Sequence, residues 1–247
     1  AVAGSLGADG SGQIALFSSA DAGKWRFESI LDANGGRYGK MWECPDFFPL
    51  EDSQILIVSP QFMHAEGLEF HNGNNAIYFV GSYDREKKKF LRKEARSVDY
   101  GLDFYAPQTV ETADGRRVMT GWLQSWDNYL TPEEFPWSGI MSIPRELELR
   151  DDRLIQNPVR ELERYRQNEV SHKGVTLSEK AGKTELEGVR GRVLDMTVEA
   201  DVSRSDALTL HLAAGEGFET TLSYEKGKGT LTTDRTYSGL KKDLLCT

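Results

Sequence analysis

The chain has 247 residues, of which 38% are hydrophobic and 28% charged, a balance that suits a globular protein of one large or two modest domains. A net charge of −9 with four histidines argues against a nucleic-acid footprint and against attraction to an anionic membrane surface. No apolar run reaches the roughly 18 residues that span a bilayer, and AVAGSLGADGSG at the start shows neither a basic n-region nor a long apolar h-region.

Helical periodicity is scarce. Short β-branched and aromatic runs alternate with Gly, Asn, Asp and Pro punctuation, which predicts strands at IALFSS from Ile14, KWRFESIL from Lys24, ILIVSP from Ile55 and AIYFVGSY from Ala76. YDREKKKFLRKEAR mixes charges around Phe90 and Leu91 and reads as a solvated hairpin flank. FYAPQTVET from Phe104, RRVMTGWLQ from Arg116, GIMSIPRELEL from Gly139 and RLIQNPV from Arg153 continue the series. Their spacing is that of four-stranded units, as in a propeller or a sandwich. A boundary falls near residues 158–165, where NPVRELERY predicts a short helical linker. Beyond it RVLDMTVEADV, ALTLHLAA, FETTLSYEK and GTLTTDR alternate apolar and polar residues, the mark of antiparallel sheets with one wet face.

Cys44 and Cys246 are the only cysteines. They could form one bridge, yet two thiols are no disulfide framework, and no metal-ligand spacing is present, so neither metal nor cofactor is expected. The lack of staples favours the cytosol over secretion. His64, His71, His172 and His211 have no ligand or triad spacing and read as surface or loop residues.

Three clusters carry chemistry. In MWECPDFFPL, Glu43 lies between Trp42 and Cys44, with Pro45 and Pro49 stiffening the backbone and Asp46 close by. Apolar surroundings disfavour the charged form of a carboxylate, and a proton retained near neutrality is what a general acid supplies. An aromatic strand end with an exposed Glu has the same composition. In VDYGLDFYAPQT, Asp99 and Asp103 flank a glycine and precede aromatics; carboxylates accept hydrogen bonds from sugar hydroxyls and rings stack on sugar C–H faces. A turn capped by aspartates would look alike. In GWLQSWDNY, Trp122 and Trp126 follow a strand, one suited to a platform and the other to packing.

The order WECPDFF, DYGLDFYAPQT, GWLQSW, WSGIMSIPRELEL and RLIQNPVREL resembles glycoside hydrolase family 32, the β-fructosidases, from about residue 14 to 165 and faintly on to TTDRTYSG at 232–239. The resemblance implies an all-β protein. Residues 1–160 would form the C-terminal part of a five-bladed β-propeller, and residues 161–247 an incomplete β-sandwich. It implies a retaining glycosidase on sucrose, sucrose 6-phosphate or a fructan, with Glu43 as acid/base, Asp99 and Trp122 holding the fructosyl ring, and Cys44 tuning Glu43 from beside it. Fructosyl transfer would use the same residues, and a non-catalytic carbohydrate-binding propeller is the alternative from another class.

The sequence also departs from the family. Neither the Trp-Met-Asn-Asp-Pro-Asn-Gly segment that carries the nucleophile nor Arg-Asp-Pro occurs in it. The nucleophile is therefore expected outside this chain, which reads as cut at both ends and inactive alone. Its open faces predict either self-association or the missing N-terminal portion as a bound partner.

Overall fold

The computed structural model describes residues 1–124, 126, 135–178 and 182–239; Cys246, and with it the possible bridge, lies outside them, as does part of GWLQSWDNY. The chain divides into two units, Ala1–Arg160 and Glu161–Leu245. Among the described residues the regular structure is all β apart from one 3-10 helix, in several sheets.

Among the described residues the first unit holds three antiparallel meanders. One joins β1 (Val2–Leu6), β2 (Gly12–Ser18) and β3 (Arg26–Ala33). The next runs β4 (Trp42–Leu50), β5 (Ser53–Pro60), β6 (Ile77–Asp84), β7 (Lys89–Ser97), and the third β8 (Tyr105–Glu111), β9 (Arg117–Trp122), β10 (Arg145–Arg150), β11 (Arg153–Pro158). Two-residue loops set the β4–β5 and β10–β11 registers, and at Asp151-Asp152 both residues have positive φ, as a primed hairpin turn requires.

The middle sheet is buried on both faces, which explains its unbroken apolar runs. Strand side chains alternate between faces. In β5, Leu56 and Val58 join Ile77, Phe79, Trp42 and Ile14 in one core, while Ile55 and Ile57 join Tyr78, Val80, Phe104, Met119 and Leu147 in another. The same rule buries Phe90 and leaves Leu91 exposed in the charged hairpin, whose turn Asp84 closes by accepting from the Glu86 and Lys87 amides.

One strand appears that was not read from the sequence, and one that was read does not form. AVAGSL, not among the strands read from the sequence, is β1, and its glycine and that of β2 let backbone lie on backbone: a Cβ at Gly4 would sit 2.2 Å from the Trp42 carbonyl oxygen, and one at Gly12 2.6 Å from the Trp42 nitrogen. In the second unit, after a 3-10 helix at Arg160–Tyr165, the described residues contain one three-stranded sheet, β12 (Ala207–Gly215), β13 (Phe218–Glu225) and β14 (Thr230–Tyr237). RVLDMTVEADV forms no strand; Val193 is 94% exposed. Alternation makes a segment fit for a sheet, but a strand also needs a neighbour to bond its backbone.

Candidate active site

Two bulged strands build the site. In β4 the pairing with β5 runs Trp42↔Pro60 and Glu43↔Ser59, then slips to Asp46↔Ile57. In β8 the pairing with β9 starts at Tyr105↔Trp122 and slips to Gln108↔Thr120. Each bulge holds a non-glycine residue at positive φ just before a proline, Cys44 (φ 46°) before Pro45 and Ala106 (φ 51°) before Pro107. Such backbone is costly unless its surroundings fix it, and bulges re-aim side chains.

The two bulges clasp each other. A bulge removes ladder partners from its amides and carbonyls, and here those groups bond across the sheets. Gln108 Nε2 donates to the Cys44 carbonyl (2.9 Å), Thr109 N to Asp46 Oδ2 (2.7 Å), and Ala106 N to Ser59 Oγ (3.1 Å). The Tyr105 hydroxyl lies 2.8 Å from Glu43 Oε2 and 3.1 Å from the Ser59 carbonyl oxygen. Ser59 is fully buried and Tyr105 nearly so. Glu43 is half-buried and Cys44 exposed.

Trp122 ends β9 opposite Tyr105, bridges to Met141, and meets Trp126 edge-on at 5.5 Å. The glycine before it has a packing reason: a Cβ at Gly121 would lie 2.5 Å from the Phe104 ring. Asp99 stands on the loop that leads into β8. One carboxylate oxygen accepts from the Gly101 amide (2.8 Å) and the other from Arg145 Nη1 (2.7 Å). Arg145 also donates to Gln156 (2.9 Å) and lies 4.5 Å over the Phe104 ring. The structure thus links Glu43 to Trp122 through Tyr105, and ties Asp99 to β10 and β11 through Arg145.

Ser59, Tyr105 and Arg145 carry this arrangement, and sequence reasoning gave them no role. Tyr105 and Arg145 lie inside quoted motifs, whereas Ser59 sits at the end of an apolar strand with no signal of its own. Among the described residues no group of three or more His, Cys, Asp or Glu could hold a metal ion, and no helix is long and apolar enough to cross a membrane.

Electrostatics follow burial. Desolvation pushes the Asp46 carboxyl up, opposed by its hydrogen bonds from Thr109 and by the Arg117 charge. Although Cys44 as a residue is exposed, partial desolvation of its sulfur pushes the thiol up, and the Glu43 charge adds to it. A raised thiol carries less reactive thiolate at a given pH. In a Cys246→Ser background, Cys44 is therefore expected to alkylate more slowly at pH 8 than a free cysteine. Glu43→Gln should speed it, though not to the free rate, since burial remains. An unchanged or slower rate in Glu43→Gln would place the Glu43 charge too far away to matter.

The family model for the glycosyl hydrolases family 32 N-terminal domain matches residues 1–158, and that for the family's C terminal matches residues 161–245. A sucrose-6-phosphate hydrolase of Zymomonas mobilis is 33% identical over 239 residues, covering 93% of this chain and 46% of that protein. One from Bacillus subtilis is 40% identical over 165 residues, 64% of this chain and 34% of that protein. The solved structure of a Bombyx mori GH32 beta-fructofuranosidase superposes with a TM-score of 0.79 at 28% identity, over 96% of this chain and 49% of its own. The chain spans less than half the length of these relatives.

Proposed function

The chain belongs to glycosyl hydrolase family 32, and on that premise we propose that it forms part of a glycosidase that cleaves β-fructofuranosidic bonds in two displacements. The substrate is sucrose, sucrose 6-phosphate or a fructan. Glu43 protonates the departing sugar oxygen in the first step and takes a proton from water in the second. Asp99 accepts hydrogen bonds from hydroxyls of the fructosyl ring, and Trp122 walls its C–H face. Cys44 stays a thiol beside Glu43, shaping its surroundings without attacking.

A retaining pair needs a second carboxylate about 5–5.5 Å from the first. We assign that nucleophile to a segment outside these 247 residues, since neither family motif that would supply it occurs in the sequence. The three sheets of the first unit are then blades of the propeller, and the chain works with that segment as its partner. Below, the assembled enzyme means this chain together with that segment.

The observation that best supports this reading is the placing of Glu43. It stands on a proline-stiffened bulge, one carboxylate oxygen beside the buried Tyr105 hydroxyl, with Trp122 paired to the same tyrosine. Product analysis tests it. The assembled enzyme given sucrose is expected to release glucose and fructose in equal amounts. Excess glucose with fructosylated oligosaccharides would mean transfer instead, and calorimetric binding of fructose without any bond cleavage would overturn the glycosidase reading.

A further inference from the structure

We infer that Tyr105 is the positioning residue of Glu43: its phenol donates to Oε2, making that the idle oxygen and leaving Oε1 to pass the proton. The inference deepens the proposed function and rests on its reading of Glu43.

A carboxyl group has two equivalent oxygens, and a residue that serves first as acid and then as base must present the same one each time. An oxygen that accepts from a fixed donor cannot take a proton on that side without losing the bond. The donor here is fixed. The Tyr105 ring is 2% exposed, its oxygen lies 2.8 Å from Oε2, and the Ser59 carbonyl stands behind it at 3.1 Å. Ser59 is itself held: it is fully buried, pairs across β4–β5 with Glu43, and its Oγ accepts from the Ala106 amide. The backbone that carries the phenol is set by the bulge at Ala106 and Pro107. A carbonyl oxygen can only accept, so the Ser59 and Glu43 oxygens compete for one phenolic proton. The shorter contact and the carboxylate charge give it to Glu43.

The geometry has a consequence for both half-reactions. With Oε2 engaged, the acid's proton sits on Oε1 in the first step, and Oε1 is the lone-pair oxygen that receives the water proton in the second. Each proton moves between Oε1 and a sugar or water oxygen, and none passes through Tyr105. The residue orients and does not react.

The first test needs no turnover. In the 247-residue chain labelled at the tyrosine ζ-carbons, Glu43→Gln replaces the carboxyl acceptor by a weaker amide one. One of the nine tyrosine signals is expected to move upfield, and Tyr105→Phe to delete that same signal. No response to Glu43→Gln would mean that the proton rests on Ser59, and would overturn the inference even where Tyr105→Phe fails to fold. The second test is kinetic. In the assembled enzyme, Tyr105→Phe is expected to slow both fructosylation and defructosylation by about ten- to a hundredfold, the worth of one charge-assisted hydrogen bond, with the pre-steady-state burst amplitude per folded enzyme unchanged. A lower amplitude with unchanged rates would reduce Tyr105 to a packing role and overturn the inference. Should Glu43→Ala leave sucrose cleavage intact, the reading of Glu43 itself fails; should Glu43→Ala disable it while Tyr105→Phe changes neither rate, only the positioning inference fails.

Discussion

Glu43→Ala in the assembled enzyme is expected to lower kcat on sucrose by about 10²–10⁴, the usual contribution of a general acid/base. The loss should depend on the leaving group. The sugar oxygen that departs from sucrose is strongly basic and needs a proton as its bond breaks. A fructoside with an activated aryl leaving group departs unaided, so its first step should lose much less. The second step, water attack, should slow for both substrates, because the same group acts as base there. Equal first-step losses on sucrose and the aryl fructoside would contradict the assignment, since a residue that merely holds the ring would weaken both alike.

Phe79→Ala is expected to destabilise the first unit by about 3–5 kcal/mol, the range for truncating a large buried aromatic. Phe79 is fully buried between β5 and β7. Its ring meets Tyr38 edge-on at 5.6 Å and Trp42 at 5.4 Å, and the Arg92 guanidinium lies over it at 4.7 Å. Truncation opens a cavity and removes two aromatic contacts and a cation–π contact together. A loss of this size rivals the whole stability of many domains. Urea unfolding followed by tryptophan fluorescence should show a lower midpoint with an unchanged slope. A loss under about 1 kcal/mol would mean that the core refills around the gap. Because Trp42 precedes Glu43 in β4, the same variant should also loosen the site.

Most strands of the first unit were legible because their cause is local. ILIV and IYFV are apolar on both faces, and only a strand between two cores uses such a run over so short a length. The hairpin at Asp84–Lys89 was legible from its charges for the same reason. β1 was not, since AVAGSL becomes a strand only by lying on Trp42, a contact across some forty residues that glycines permit. RVLDMTVEADV failed the other way, with a strand pattern and no neighbouring strand to bond it. At the site, Glu43, Asp99 and Trp122 stood out because their residue types and flanking motifs are unusual. Ser59 and Arg145 did not. Their roles come from register and from bonds spanning tens of residues, which a linear pattern does not record. Tyr105 lay in a marked motif, but its importance depends on a bulge that turns its hydroxyl toward β4.

The central claim is that Glu43 gives and takes the proton around a fructosyl-enzyme intermediate, and azide rescue of Glu43→Ala tests it most directly. Water needs a base to attack the intermediate; azide, already an anion, does not. With the aryl fructoside as substrate, added azide is expected to restore turnover and to yield a fructosyl azide with the configuration of the substrate retained. An inverted azide would contradict the two-step displacement. Turnover that azide leaves unchanged, with free fructose the sole product, would contradict Glu43 as the acid/base.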